Sequence, residues 1–285
     1  SNSGSNDVSL TDTNALDLGT VGVGQNLTVT ATGAITDTGV VTVAGNTVFH
    51  NQAGTNDAIN LGSSSTYTGT VTFTTDAGSN VTITDNSAFA IQAGLNVNDL
   101  SITSTGGVTD AGDIDIDGTL TVSAAGQTVD LSGGGANDIT GAVTLTGAAV
   151  TLNDTSATSI AGITATGALS VTSGGAITQS GAIDADTTAS FTGGANAITL
   201  TNAGNDFTGA VSLSNSGSND VSLTDTNALD LGTIGVGQNL TITATGGALT
   251  DSGAITVPGL ATIVSTGQSV TLGDSTTANF GSLDF

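Results

Sequence analysis

Short stretches in which apolar and hydroxyl residues alternate recur along the whole chain. They read LTVT from Leu27, TVFH from Thr47, VTFT from Val71, LSIT from Leu100, LTVS from Leu120 and VTLT from Val143. The series continues as LSVT from Leu169, ASFT from Ala189, VSLS from Val211, LTIT from Leu240 and ATIV from Ala261. A strand has a side-chain period of two, so the first and third residues of each stretch share a face. Those residues are nearly all apolar, as with Leu27 and Val29, Val71 and Phe73, or Leu100 and Ile102, while the second and fourth are nearly all Ser or Thr. The pattern predicts half-buried strands. A second series reads AIT from Ala34, INL from Ile59, VTI from Val81, VDL from Val129, VTL from Val150, ITL from Ile198 and VSL from Val221. A third, less regular one includes Tyr67, Ile139, Phe207 and Phe280, each shortly before a glycine. Gly residues and Asn-Asp pairs fall between strands, where Asx side chains and positive φ make turns.

The chain repeats itself. Residues 1–33 return at 214–246 with only Val21 changed to Ile234 and Val29 to Ile242. A weaker repeat of about 71 residues starts at Leu27, Leu100, Leu169 and Leu240. Self-similarity of this period is the signature of a solenoid. We expect an all-β parallel β-helix of about 12 coils, each of 20–29 residues, with three coils per 71-residue unit. It should form one continuous segment over 1–285: a partial unit 1–26, units 27–99, 100–168 and 169–239, and a partial unit 240–285. In this register Leu27, Leu100, Leu169 and Leu240 are buried in one inward column, and Thr28, Ser101, Ser170 and Thr241 face solvent. The long steps, such as 71 to 100 and 211 to 240, should form a ridge every third coil, tucked in by Leu95, Ile163 and Val236.

Composition narrows the function. The 285 residues carry a net charge of −24, with no Lys, Arg, Cys, Met or Trp. Every acidic residue is Asp. Without cations the chain lacks what binds nucleic acid or anionic lipid. Without Cys it has neither disulfides nor thiolate metal sites. No apolar run is long enough to span a bilayer, so no membrane insertion is expected. A signal peptide is absent or lies outside this segment.

The units LTVTATGAITDTG from Leu27, ITLTNAGNDFTGAVSL from Ile198 and DTNALDLG from Asp12 resemble the repeats of filamentous-haemagglutinin-like bacterial exoproteins, the giant surface adhesins. The resemblance covers the whole chain. It implies a right-handed helix, export to the bacterial cell surface, and a role as stalk or adhesive fibre.

Candidate chemistry centres on carboxylates. GDIDIDG from Gly112 to Gly118 sets Asp113, Asp115 and Asp117 on one strand face, and Asp184 and Asp186 take matching places one unit later. Such oxygens suit Ca²⁺, or could flank a sugar as acid and base. The plainer reading, a solvated acidic face, leads. His50, the single His, should point outward; one ligand makes no metal site. The outward Ser/Thr ladder resembles the flat arrays of ice-binding solenoids, although Thr also simply suits an exposed strand face. Asn26, Asn80, Asn153 and Asn239 lie in Asn-x-Ser/Thr sequons.

The expected function is therefore structural or adhesive: a non-catalytic segment of a large secreted or cell-surface fibre protein. It needs no cofactor beyond optional Ca²⁺. Its expected partners are itself end to end or flanking repeats of a longer chain, and cell-surface glycans or another cell. The alternatives are a glycan-binding or glycan-cleaving β-helix, which needs a localised cleft, and an ice-binding solenoid, which needs one flat regular face.

Overall fold

The structure is a computed structural model; it describes residues 1–52, 54, 56–274 and 277–285. Among these, every regular element is a β-strand. The strands stack in parallel as a β-solenoid of about 14 turns, with a repeat of about 70 residues. The chain divides into two compact units, Ser1–Gly141 and Ala142–Phe285.

The first unit has three faces. The first face stacks Val8–Asp12, Leu27–Ala31, Thr47–Asn51 and Val71–Thr74 in a four-stranded sheet. The second stacks Leu16–Leu18, Ile35–Asp37, the start of Ile59–Tyr67, Val81–Asp85, Leu100–Ser104 and Leu120–Ser123. The third begins with Val21–Val23, Val41–Val43 and the end of Ile59–Tyr67, and higher up it stacks Phe89–Ile91, Val108–Asp110 and Val129–Leu131. Leu95–Val97, Ile114–Ile116 and Asp138–Ile139 form a further three-stranded sheet. Inward residues such as Leu27, Val29, Phe49, Ile83 and Ile102 are wholly buried. Their outward neighbours are half-buried rather than bare, because turns above and below cover part of each side chain.

The second unit repeats the plan. One sheet stacks Val150–Asp154, Leu169–Ser173, Ala189–Thr192 and Val211–Ser214. Another stacks the start of Thr158–Ala165, Ile177–Gln179, Ile198–Leu200, Val221–Asp225 and Leu240–Ala244.

These pairings correct the expected register in an instructive way. Leu27, Leu100, Leu169 and Leu240 are all buried, yet they do not form one column. Leu27 lies on the first face and Leu100 on the second. Likewise Leu169 and Leu240 lie on different sheets. From Leu27 up to Leu100 the chain lays down ten strand positions, counting the two halves of Ile59–Tyr67 separately. With three strands per turn, one repeat is three turns and one strand more. Each repeat therefore moves its pattern on by one face, and three repeats restore it. That is why the near-identical return of residues 1–33 comes after 213 residues rather than after 71. It is also why there are about 14 turns and not about 12. The surplus residues in the long steps form no ridge. They are the additional strand: Leu95 sits inside Leu95–Val97 and Ile163 inside Thr158–Ala165, and Val236 is buried immediately after Leu229–Gly235.

Corners are closed by Asx side chains. Asp7 Oδ1 accepts the Asn26 N–H at 3.1 Å, Asn26 Oδ1 accepts the Asn46 N–H at 2.9 Å, and Asn46 Oδ1 accepts the Thr70 N–H at 3.1 Å. Each side-chain oxygen thus satisfies a backbone donor one turn up, where no strand partner reaches it. The sequon residues Asn26 and Asn239 are used in this way, Asn239 Nδ2 donating to Asp220 and its Oδ1 accepting the Leu260 N–H.

Glycine marks the closest approaches of one turn to the next. A Cβ on Gly69 would lie 2.5 Å from the Gly45 carbonyl oxygen, and one on Gly45 would lie 2.7 Å from that of Gln25. These two carbonyls belong to the backbone, which cannot step aside without breaking the adjoining ladder, and the Asn46 and Asn26 side-chain oxygens crowd the same places at 2.6 Å. Gly69→Val should therefore cost at least the roughly 1–3 kcal/mol typical of overpacking, read as a lower urea midpoint by circular dichroism. An unchanged midpoint would show that the turns are free to separate there.

Candidate functional site

The structure places the predicted carboxylates outward. Asp113 and Asp117 flank the strand Ile114–Ile116 and are exposed, while Asp115 on that strand is half-buried. Asp115 pairs in register with Asn96 below and Asp138 above. Asn96 Nδ2 donates to Asp115 Oδ2 at 2.7 Å, and Asp113 Oδ1 accepts the Ala136 N–H at 3.2 Å. Partial burial, then the neighbouring Asp117 and Asp138, push the Asp115 carboxyl above its ordinary range. The second unit holds a counterpart: Asp184 lies between Thr164 and Asp206. Its carboxyl is raised by burial, then by Asp186 and Asp206. Asn227 donates its amide to Asp206. The acidic feature is thus a column running across turns as much as a row along one strand. Asp138 and Asp206 belong to it, and sequence spacing alone did not reveal them. Among the described residues, no group of three or more His, Cys, Asp or Glu side chains is arranged to hold a metal ion.

His50 points outward between Thr30 and Thr74. Tyr67, Phe49, Phe73, Phe89, Phe191 and Phe207 are buried, so none offers a sugar-stacking platform. Burial also drives the Tyr67 phenol well above its ordinary range. The hydroxyl ladder is regular in places. Ser159, Thr178, Thr199, Ser222, Thr241 and Thr262 follow one another turn by turn in one column.

A set of carboxylates faces inward. Asp85, Asp154 and Asp225 end equivalent strands and are buried. Asp85 Oδ1 accepts the Tyr67 N–H at 3.2 Å, and Asp225 Oδ1 accepts the Phe207 N–H at 3.0 Å. These side chains bond a backbone donor on the turn below. Burial raises the carboxyls of both Asp85 and Asp225. In the sequence they look like ordinary turn aspartates; the strand parity of VTITD and VSLTD, which aims the last residue inward, was the available signal.

The repeat is broken at one place in the first unit. The four-stranded sheet of the first face ends at Val71–Thr74. Where the next strand would pair, the Gln92 side chain takes its place: Gln92 Oε1 accepts the Phe73 N–H, and Gln92 Nε2 donates to the Phe73 carbonyl at 2.9 Å. Beside it lies a crevice of about 360 Å³, with Thr68, Thr70 and Val71 below and Ala88, Phe89 and Ala90 above.

With this geometry in view, comparison with known proteins adds one finding. A family model described as repeats of unknown function (DUF5649) matches residues 5–76, 78–146, 147–214 and 218–283. The chain belongs to this repeat family. The family's four copies cover almost the whole chain, in agreement with the repeat of about 70 residues in the solenoid. Neither a search of curated proteins nor a search of solved structures finds a match.

Proposed function

We propose that the chain is a structural or adhesive segment of a large secreted bacterial surface protein, without catalytic activity. The observation that carries this reading is the tandem repeat itself. Four family copies cover almost the whole chain, the strands within each of the two units stack in parallel, and their outward faces carry Ser, Thr and Asp spread over many turns rather than gathered at one cleft. Evenly distributed features suit repeated weak contacts or plain mechanical extension, whereas turnover needs one converged set of groups. The likeness of LTVTATGAITDTG and its companions to filamentous-haemagglutinin-like repeats supports the same reading and an extracellular location.

In this proposal the partners are flanking repeats or further copies end to end, since the outermost strands of a stack present pairing edges. Cell-surface glycans or another cell are the adhesive targets. A net charge of −24 opposes side-by-side packing, and Ca²⁺ bridging the columns of Asp115 and Asp138 or Asp184 and Asp206 relieves it. The test is electron microscopy of the purified segment with and without Ca²⁺, together with binding and cleavage assays on a polysaccharide panel. Filaments or bundles and no cleavage are expected. Isolated particles in both conditions, with glycan cleavage abolished by Asp115→Asn, would overturn the proposal. The unbroken hydroxyl column from Ser159 to Thr262 favours a second reading, ice binding. Thermal hysteresis that falls on replacing Thr199 and Thr241 by bulky Tyr would establish it.

A further inference from the structure

The break beside Gln92 follows from a slip of one residue in the apolar pattern. The segments ending at Leu169 and Leu240 align without gaps on the one ending at Leu100, each starting 15 residues earlier at Asp154, Asp225 and Asp85. In the two later copies the inward pair falls at Ile163 and Ala165, and at Ile234 and Val236, all buried. In the first unit the equivalent places are Gly94 and Asn96, and the buried pair is Leu95 and Val97, one position late. A shift of one residue inverts every side chain of a strand. The chain absorbs it with a turn at Gln92–Gly94, where Gly94 adopts a φ of +71°. The continuous strands Thr158–Ala165 and Leu229–Gly235 are thereby replaced by two short ones, Phe89–Ile91 and Leu95–Val97.

The consequence is local. In the second unit the equivalent junctions are zipped by backbone pairing: Leu145 with Ile163 and Gly147 with Ala165, and Leu213 with Ile234 and Ser214 with Gly235. In the first unit Val71–Thr74 ends its sheet, and Leu95–Val97 begins another. Across the third face side chains also bridge, Asp85 accepting the Tyr67 N–H and Ser87 Oγ donating to the Tyr67 carbonyl at 3.1 Å; Asp225 accepts the Phe207 N–H in the same way in the second unit, so the first face is where the junctions differ. The second face alone stays paired, Val81, Thr82 and Ile83 lying in register on Ile59, Asn60 and Leu61.

One zipped face beside two side-chain-bridged faces is the geometry of a spine and an opening edge. We propose that this junction is a built-in hinge of the first unit, which flexes by parting Val71–Thr74 from Phe89–Val97 about the paired second face, with the Gln92 amide as the latch. A segment held by few backbone bonds opens at lower free energy than its zipped counterparts. The hinge stands on pairing alone and does not depend on the adhesive reading.

Hydrogen exchange on the whole chain tests it, with three proteins compared: the natural sequence, Gln92→Ala, and a variant in which residues 92–97 carry the sequence of residues 232–237, GTIGVG. Amides of 71–74 and 89–97 should exchange at least tenfold faster than those of 143–147, 160–165, 211–214 and 231–235. Gln92→Ala should accelerate 71–74 and 89–97 only, and the in-phase graft should slow them to the level of the other junctions. Because the chain has no Cys, nitroxide pairs can be placed cleanly at Thr72 and Asn96 across the opening and at Asn60 and Thr82 across the spine. Heterogeneous spin–spin broadening across the opening, sharpened by the graft, with uniform broadening across the spine, is the expected result. Equal protection at all junctions overturns the hinge. So does a graft that leaves exchange fast, or equal spin–spin behaviour of the two pairs.

Discussion

Replacing Phe49 with alanine is expected to lower the unfolding free energy by about 3–5 kcal/mol, the range for deleting a buried aromatic side chain. Phe49 is fully buried. Its ring stacks on Phe73 at 5.9 Å and 17°, and meets Tyr67 edge-on at 5.9 Å and 87°. Cost depends on how far the surroundings collapse into the cavity, and here they are held. Val29, Phe49 and Phe73 sit on three strands fixed to one another by backbone pairing, so the neighbours can approach only by distorting the ladder. Aromatic pairing is also lost, worth roughly 0.5–1.5 kcal/mol per partner beyond burial. In a solenoid each turn contacts mainly its neighbours, so the damage should stay near turns containing Thr47–Asn51 and Val71–Thr74. Equilibrium denaturation followed by circular dichroism gives the magnitude, and hydrogen exchange gives the place. A loss below about 1 kcal/mol would mean that the aromatic cluster is loosely packed.

The alternation of Val, Leu and Ile with Thr and Ser was enough to read strands, their inward residues and the parallel stack, because a buried face and a solvated face demand different side chains at every second position. The path of the repeat around the faces was not readable in the same way. LTVT at Leu27 and LSIT at Leu100 look equivalent because their surroundings are equivalent, and three equivalent faces give each the same sequence requirements. Only counting every strand, including the two hidden in Ile59–Tyr67, shows that a repeat overshoots three turns by one strand. The acidic row at Asp113, Asp115 and Asp117 was legible because it lies along the chain. Its partners Asn96 and Asp138 were not, because register between turns depends on loop lengths that no local pattern fixes. Gln92 was not singled out, although aligning the copies shows the phase slip that follows it, Leu95 and Val97 standing one place later than Ile163 and Ala165. Its bonds to Phe73 follow from pairing that only the folded chain reveals.

Asp225→Asn should flatten the pH dependence of stability between about pH 4 and 7. Asp225 is fully buried, with Oδ1 accepting the Phe207 N–H at 3.0 Å and Oδ2 without a hydrogen-bond partner. Burial pushes its carboxyl up to about 6; the charge of Asp206 adds to this, and the N–H groups of Phe207, Thr226 and Asn227 oppose it. No Lys or Arg exists anywhere in the chain to neutralise it. In the unfolded chain the same group titrates near the ordinary value of 3.8. Between those values the folded state holds the proton more firmly, so its stabilising contribution is complete below about pH 4 and is lost as pH rises through about 6. A shift of about two units corresponds to roughly 3 kcal/mol at most. Asp85, Asp115 and Asp184 are shifted in the same direction, so the natural chain should gain stability on mild acidification, the reverse of a protein held by salt-bridged carboxylates. Asparagine keeps the acceptor for Phe207 and removes the charge, but its amide donors lie where Oδ2 has no partner, which costs about 1–3 kcal/mol. The net effect at pH 8 is therefore small, and the slope is the decisive readout. Denaturation midpoints measured from pH 4 to 8 should fall with rising pH in the natural chain and fall distinctly less in Asp225→Asn. Parallel curves for the two proteins would mean that Asp225 is not the group that titrates in this range.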